Sequence, residues 1–309
     1  MSTESWPALP LAEWQETLDT LHMWTQIVGK VKLELTPFLN EWWNVGLFVS
    51  ARGLTTGPIP TGEGIFEVDF DFIDHNLTIQ TSAGERKMLP LIPRSVANFY
   101  AEFMATLAAL GVDVTISSLP SEIPDPIAFA VDERHAAYDP GYVNRFWRIL
   151  VQTELVLQRF RSGFSGKSSP ILFYWGSFDL SHARFSGRPA EPPAGMPRFL
   201  QIGADSECFA GGFWPGNAGL AGIRYGEPAF FAYHFPAPAG LSEARIRPDA
   251  AGFDTTMGEF ILRYEDARRA TSPADAVLEF FQSVYEAGAE RANWNRALLE
   301  RNIAEGAHR

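Results

Sequence analysis

Three polar side chains, His22, Gln26 and Lys30, stand four residues apart in a segment whose apolar residues recur every three to four positions. On a helix these steps stack the three along one edge. Arg148 and Gln152 repeat the four-residue spacing later in the chain. Lys30, Arg52 and Arg148 would then hold an anionic group, because guanidinium forks and ammonium charges suit carboxylates and phosphates. His22, titrating near neutrality, would exchange protons. The same residues equally describe the hydrated edge of an amphipathic helix.

A second concentration of chemistry lies in Phe173-Tyr-Trp-Gly-Ser-Phe-Asp-Leu-Ser-His-Ala-Arg-Phe-Ser-Gly-Arg-Pro189. Asp179 and His182 could form an acid-oriented imidazole if the chain turns between them, whereas an extended strand would point them to opposite sides. Arg184 adds a guanidinium to the ligand-binding candidates, and Ser177, Ser181 and Ser186 add hydroxyls. No Gly-x-Ser-x-Gly elbow accompanies them. Further on, Gly211-Gly-Phe-Trp-Pro-Gly216 could bring backbone amides to a ligand while Trp214 covers it, or could simply connect strands. Neither a dinucleotide fingerprint nor a P-loop is present, so the cofactor is unassigned. The six histidines form no His-x-x-x-His pair, and Asp69, Asp71 and Asp74 lack the glycine and glutamate of a calcium loop, so no metal site is assigned.

The elements that must position these residues follow from periodicity. Leu11, Trp14, Leu18, Leu21, Thr25 and Val28 predict a helix from Leu11 to about Leu35, ended by Pro37. Phe66, Val68, Phe70 and Phe72 alternate with Glu67, Asp69 and Asp71, which predicts a strand with one face of carboxylates. Ser95 is an expected N-cap for a helix stopped by Gly111, and Val112 to Ser117 is an expected strand. The proline-rich run from Leu119 to Pro140 reads as a surface linker. Phe146, Ile149, Thr153, Leu157, Phe160 and Phe164 then predict another helix, followed by a strand at Ile171 to Trp175 and later strands at Ala229 to Phe235 and Glu259 to Leu262. Ser272-Pro273 opens a last long helix with an expected stop at Gly288.

These elements occur in two similar series. Gln26 and Leu47 are 21 residues apart, as are Gln152 and Phe173; Ser95 and Gly111 are 16 apart, as are Ser272 and Gly288. The expected fold class is therefore α+β, with two internally related halves, 1–139 and 140–309. Each half is a helix, a mainly antiparallel sheet and a closing helix, and the second carries a loop-rich Gly/Pro insertion at about 188–256. Paired halves would enclose a cleft, the usual place for a small-molecule site.

Composition narrows the partners. The formal charge is −12, with 19 acidic and 7 basic residues up to Asp139 and 18 of each beyond it. That balance argues against a nucleic-acid groove or an anionic membrane surface. With no long apolar run and no export signal, the chain reads as soluble and cytoplasmic. Its single cysteine, Cys208, rules out an intrachain disulfide.

At Leu21-His-Met-Trp-Thr-Gln-Ile-Val-Gly-Lys30, Ala51-Arg-Gly-Leu-Thr-Thr56, Phe70-Asp-Phe-Ile-Asp-His75, Trp175-Gly-Ser-Phe-Asp-Leu180, Arg184-Phe-Ser-Gly-Arg188 and Gly212-Phe-Trp-Pro-Gly216, the chain resembles a bacterial family, domain of unknown function 5996. The resemblance covers nearly the whole chain and implies a bacterial single-chain protein; it carries over no activity, cofactor or catalytic residue. Two functional expectations stand. One is an enzyme or binding protein for a small polar, anionic metabolite held between the halves; the other is an interaction module whose acidic first half binds a basic partner. The oligomeric state is open.

Overall fold

Helix α1 spans Leu11–Leu35, as its periodicity predicts. The apolar stripe is buried, but so are the neighbouring lines, with His22 at 1%, Gln26 at 0% and Lys30 at 4% exposure. A helix enclosed on every side is a core element, so its polar residues must find partners inside the protein.

The computed structural model describes residues 4–62, 64–192, 195, 198–216 and 225–301. The chain divides into two compact units. The first comprises Met1–Val151, Leu172–Asp179 and Pro215–Glu227, and the second Gln152–Ile171, Leu180–Trp214 and Pro228–Arg309. The division falls within the helix α3, Pro140–Ser162, which starts with proline at its first position. Asp139 caps it, accepting from the amides of Gly141 and Tyr142 at 2.8 and 3.1 Å.

In the first unit, strands β1 (Phe48–Val49), β2 (Gly53–Thr55), β4 (Gly64–Asp71), β5 (Asn76–Thr81) and β6 (Arg86–Pro90) form an antiparallel sheet in the order β1-β2-β4-β5-β6. β3 (Ile59–Thr61) also pairs with β4. Phe66, Val68 and Phe70 are buried and alternate with half-buried Glu67, Asp69 and Asp71, so the expected register holds. Leu47 is bridged to Phe173 of the short strand β7 (Leu172–Tyr174). Helix α2 (Val96–Ala109) begins at Ser95, whose hydroxyl accepts from the Asn98 amide, and ends before Gly111 at φ +74°. Phe99 stacks on Trp24 of α1 with centroids 4.8 Å apart.

Two expectations need correction here. Val112 to Ser117 is irregular rather than a strand. The run after Leu119 is docked on this unit rather than a free surface linker: Phe129 and Asp132 are fully buried, and Ser121 is bound through both its amide and its carbonyl. Its prolines limit regular hydrogen bonding, but its buried groups still need partners, which come from Thr17, Thr20 and Gln26 of α1, from Ala97 of α2 and from within the run itself.

In the second unit, β8 (Asp179–Pro189), β9 (Ser206–Trp214), β10 (Ala229–Phe235), β12 (Glu259–Arg263) and β11 (Gly252–Asp254) form an antiparallel sheet in the order β8-β9-β10-β12-β11. A short helix α4 (Arg198–Gly203) precedes β9, and α5 (Tyr264–Arg268) follows β12. The expected loop-rich insertion thus also contributes strands to the sheet, with β9 and β10 among its inner strands. Leu180, His182 and Arg184 lie opposite Phe213, Gly211 and Phe209, and Phe230, Ala232 and His234 continue these rows.

Helix α6 (Pro273–Arg291) packs on that face and runs past the expected stop at Gly288. A Cβ at Gly288 would lie 2.1 Å from the His234 ring, so this glycine admits a neighbour instead of ending the helix. A four-residue helix α7 (Arg296–Leu299) follows. Its end is tied to the turn after α3 by bonds from the Ser165 amide to Leu299 O (2.7 Å) and from the Arg301 amide to Gly163 O (3.0 Å).

Candidate functional site

The polar line on α1 is brought together as expected, but as a latch. Gln26 donates to Ser121 O at 2.9 Å and accepts from the Ser121 amide at 2.7 Å. Lys30 Nζ donates to Ser121 Oγ at 2.9 Å and lies 5.7 Å from the Trp175 ring centroid. His22 Nε2 reaches the carbonyls of Trp175 and Gly176 at 2.9 and 3.0 Å, so it carries the proton that bonds them. Burial pushes its pKa down to about 4, opposed by those carbonyls, which leaves a neutral ring already engaged with backbone. Trp175 fits because Gly29 has no side chain: a Cβ there would meet the indole at 2.2 Å.

The other two candidate cations of the first unit, Arg52 and Arg148, also have protein partners. Arg52 donates to Asp71 at 2.5 Å and Asp74 at 2.6 Å, bracing the turn after β4. Arg148 Nε donates to Asn144 Oδ1 at 3.0 Å, and Asn144 in turn donates to Phe72 O at 2.9 Å. Asp179 accepts from Ser177 Oγ.

Asp179 and His182 both belong to the extended strand β8, where a separation of three puts them on opposite faces, so they form no dyad. His182 Nδ1 lies 3.0 Å from Ser169 O, while its buried Nε2 has no partner among the described residues. Burial, then the charges of Arg184 and Arg161, push its pKa down to about 3. Gln152 is half-buried on α3. Trp214 ends β9, and Gly211 to Trp214 are strand residues, not a lid. Gly212 is required there, since a Cβ would stand 1.9 Å from Leu180 O.

Arg184 is placed differently. Its position on the inward face of β8 leaves it 2% exposed, at the wall of a cleft of about 650 Å³ within the second unit. The guanidinium carbon lies 3.4 Å from the Phe160 ring centroid, 4.4 Å from that of Tyr285 and 5.1 Å from that of Phe164. Nη2 donates to Phe160 O, and Nε has no partner among the described residues. Burial lowers its pKa to about 10, opposed chiefly by Tyr285 and Glu300. No carboxylate is within ion-pair distance of it among the described residues.

The charged lining of this cleft is Arg159, Arg184, Arg296 and Arg301 against Glu286 and Glu300. Tyr285 donates to Glu300 Oε1 at 2.9 Å, and Arg296 grips the same carboxylate through Nε (2.6 Å) and Nη2 (3.2 Å). Burial and the Glu300 contact hold the Tyr285 pKa above its ordinary value, so it remains a donor. Arg159 pairs with Asp275 at 3.1 Å on the surface. Side-chain spacing singles out none of Tyr285, Arg296 and Glu300. The available signal was the alternation Leu180-x-His182-x-Arg184, which carries a cation into an inward register.

Two antiparallel sheets, each with long helices of its own unit, define an α+β protein. The chain belongs to the Family of unknown function (DUF5996), whose model matches residues 6–301. No curated protein and no solved structure matches the chain. Among the described residues no helix is long and apolar enough to cross a membrane, and no group of three or more His, Cys, Asp or Glu is arranged to hold a metal.

Proposed function

We propose that the protein binds a small polar, anionic metabolite in the cleft of its second unit, with Arg184 as the principal anchor. The supporting observation is a buried guanidinium that has aromatic rings and one carbonyl around it but no counter-ion. Leaving a buried charge uncompensated costs on the order of several kcal/mol, and an anionic ligand would remove that cost on binding. The lining is net positive, and the volume lies within the ordinary range for small-molecule sites.

A thermal-shift screen of anionic metabolites tests this reading. A ligand at one hundred times its dissociation constant adds about 2.7 kcal/mol, and replacing Arg184 by Met should abolish the shift. A screen in which no anion stabilises the wild type refutes it. A second reading draws on the outward row Glu67 and Asp69 on β4: a basic protein partner would dock there, with binding that weakens steeply as salt rises.

A further inference from the structure

Glu300 shows what the cleft recognises. Its carboxylate accepts from both Nε and Nη2 of Arg296 and also from the Tyr285 hydroxyl. A bidentate side-on guanidinium pair with one added hydroxyl donor is a complete carboxylate site, and here the occupant is the chain's own side chain. The Tyr285 ring also lies 4.4 Å from the guanidinium carbon of Arg184, the cation that lacks a counter-ion.

Resting on the anion-binding reading above, we propose that the cleft takes a monocarboxylate with an apolar body, and that Glu300 is its internal competitor. The incoming carboxylate takes the Tyr285 hydroxyl and the Arg296 fork from Glu300 and adds the charge that Arg184 lacks. Arg296 is not stranded while this happens, since Glu286 lies 3.5 Å away and is steadied by Gln282 at 2.8 Å. Nor need the backbone move. Residues 299 and 301 are fixed by their bonds to the Gly163 to Ser165 turn, while the Glu300 side chain, 29% exposed, has rotatable bonds of its own.

Charge balance selects the class of anion. Arg159 and Arg296 already have carboxylate partners and Arg301 is exposed to solvent, so Arg184, the most deeply buried arginine of the cleft, is the buried cation without one, and a single negative charge answers it. A phosphate dianion would bring a second charge that only the solvent-exposed Arg301 remains to meet. Phe160, Leu278 and Ala297 in the lining offer apolar surface to a carbon body.

The test is calorimetric titration of the full chain with benzoate, butyrate and inorganic phosphate at constant ionic strength, for wild type, E300Q and R184M. Benzoate and butyrate should bind the wild type in preference to phosphate, bind E300Q about tenfold tighter, and fail to bind R184M. If E300Q does not fold, as judged by circular dichroism, E300D takes its place, because the shorter side chain loosens its grip on Arg296 and should also raise affinity. Equal affinities in wild type and the Glu300 variants, or a preference for phosphate, overturn the inference while leaving an Arg184-dependent anion site intact. Absence of binding by all three anions in every variant overturns that site as well.

Discussion

Replacing Arg184 by Met separates a functional cation from a structural one. A pKa held down to about 10 means that the folded protein disfavours the charged guanidinium by roughly 3 kcal/mol. Removing the charge recovers that amount. Against it stand the loss of desolvated cation–π contact with Phe160 and Tyr285, about 2 kcal/mol, and a Phe160 carbonyl left without its donor, about 1 kcal/mol. Methionine sulfur against the same rings returns up to about 1 kcal/mol. The variant should therefore be as stable as wild type or more stable by about 1 kcal/mol, which corresponds to a rise of roughly 2–4 °C in melting temperature for a unit of this size. It should at the same time lose every anion-induced shift. Urea denaturation and thermal melts with and without benzoate measure both quantities. A loss of 3 kcal/mol or more without ligand would show that the aromatic cage itself needs the cation, and the reasoning from an unmet charge would fail.

Other expectations follow from the same contacts. Gln26→Leu removes both bonds to Ser121 and leaves its amide and carbonyl without their side-chain partners, so denaturant unfolding should show a loss of about 2–4 kcal/mol, with anion binding by the folded protein unchanged; loss of binding at unchanged stability would return the site to α1. Gly29→Ala drives a methyl into the Trp175 indole, and its cost of about 2 kcal/mol or more should be accompanied by a change in tryptophan emission. Acid should destabilise the protein through its buried histidines. The unfolded chain gains protons as pH falls through 6.5, while folded His22 and His234 wait until about 4 and His182 until about 3. Stability is thus full above about 6.5 and declines below it by up to roughly 1.4 kcal/mol per pH unit for each ring; His182→Asn should flatten the slope measured by denaturation between pH 6.5 and 4, and an unchanged slope would count against the buried neutral ring.

Local order was legible where one period dominated. The bounds of α1, the alternation of β4, the Ser95 cap and the strand Ala229 to Phe235 all follow from side-chain spacing or capping chemistry. Glycine misled where it serves packing rather than turning. Gly288 looked like a helix stop and Gly211-Gly212 like part of a lid, yet each lies within a regular element because another group occupies the space a Cβ would fill. Periodicity records which residues share a face and says nothing about what approaches that face from elsewhere. The same limit explains the site residues: spacing placed His22, Gln26 and Lys30 together, but only tertiary structure shows Ser121 and Trp175 using them. Tyr285, Arg296 and Glu300 meet Arg184 through folding at long sequence separation, which no local pattern encodes.

What distinguishes a latch from a site in this protein is whether the buried polar groups are satisfied from within. On α1 the amide, ammonium and imidazole all have backbone or hydroxyl partners, so a ligand would have to break bonds before making any. Unpartnered polar atoms occur elsewhere, as at Nε1 of Trp14 and Trp24, but these are neutral donors whose desolvation costs about 1–3 kcal/mol each. Arg94 also has guanidinium nitrogens without partners, yet its charge is matched by Glu102. Arg184 combines full burial, positive charge, no facing carboxylate and a position on a cleft wall. Removing any one of these conditions would make it an ordinary structural arginine. Together they set a free-energy cost that the chain alone leaves unrelieved and that an anion entering the cleft would relieve.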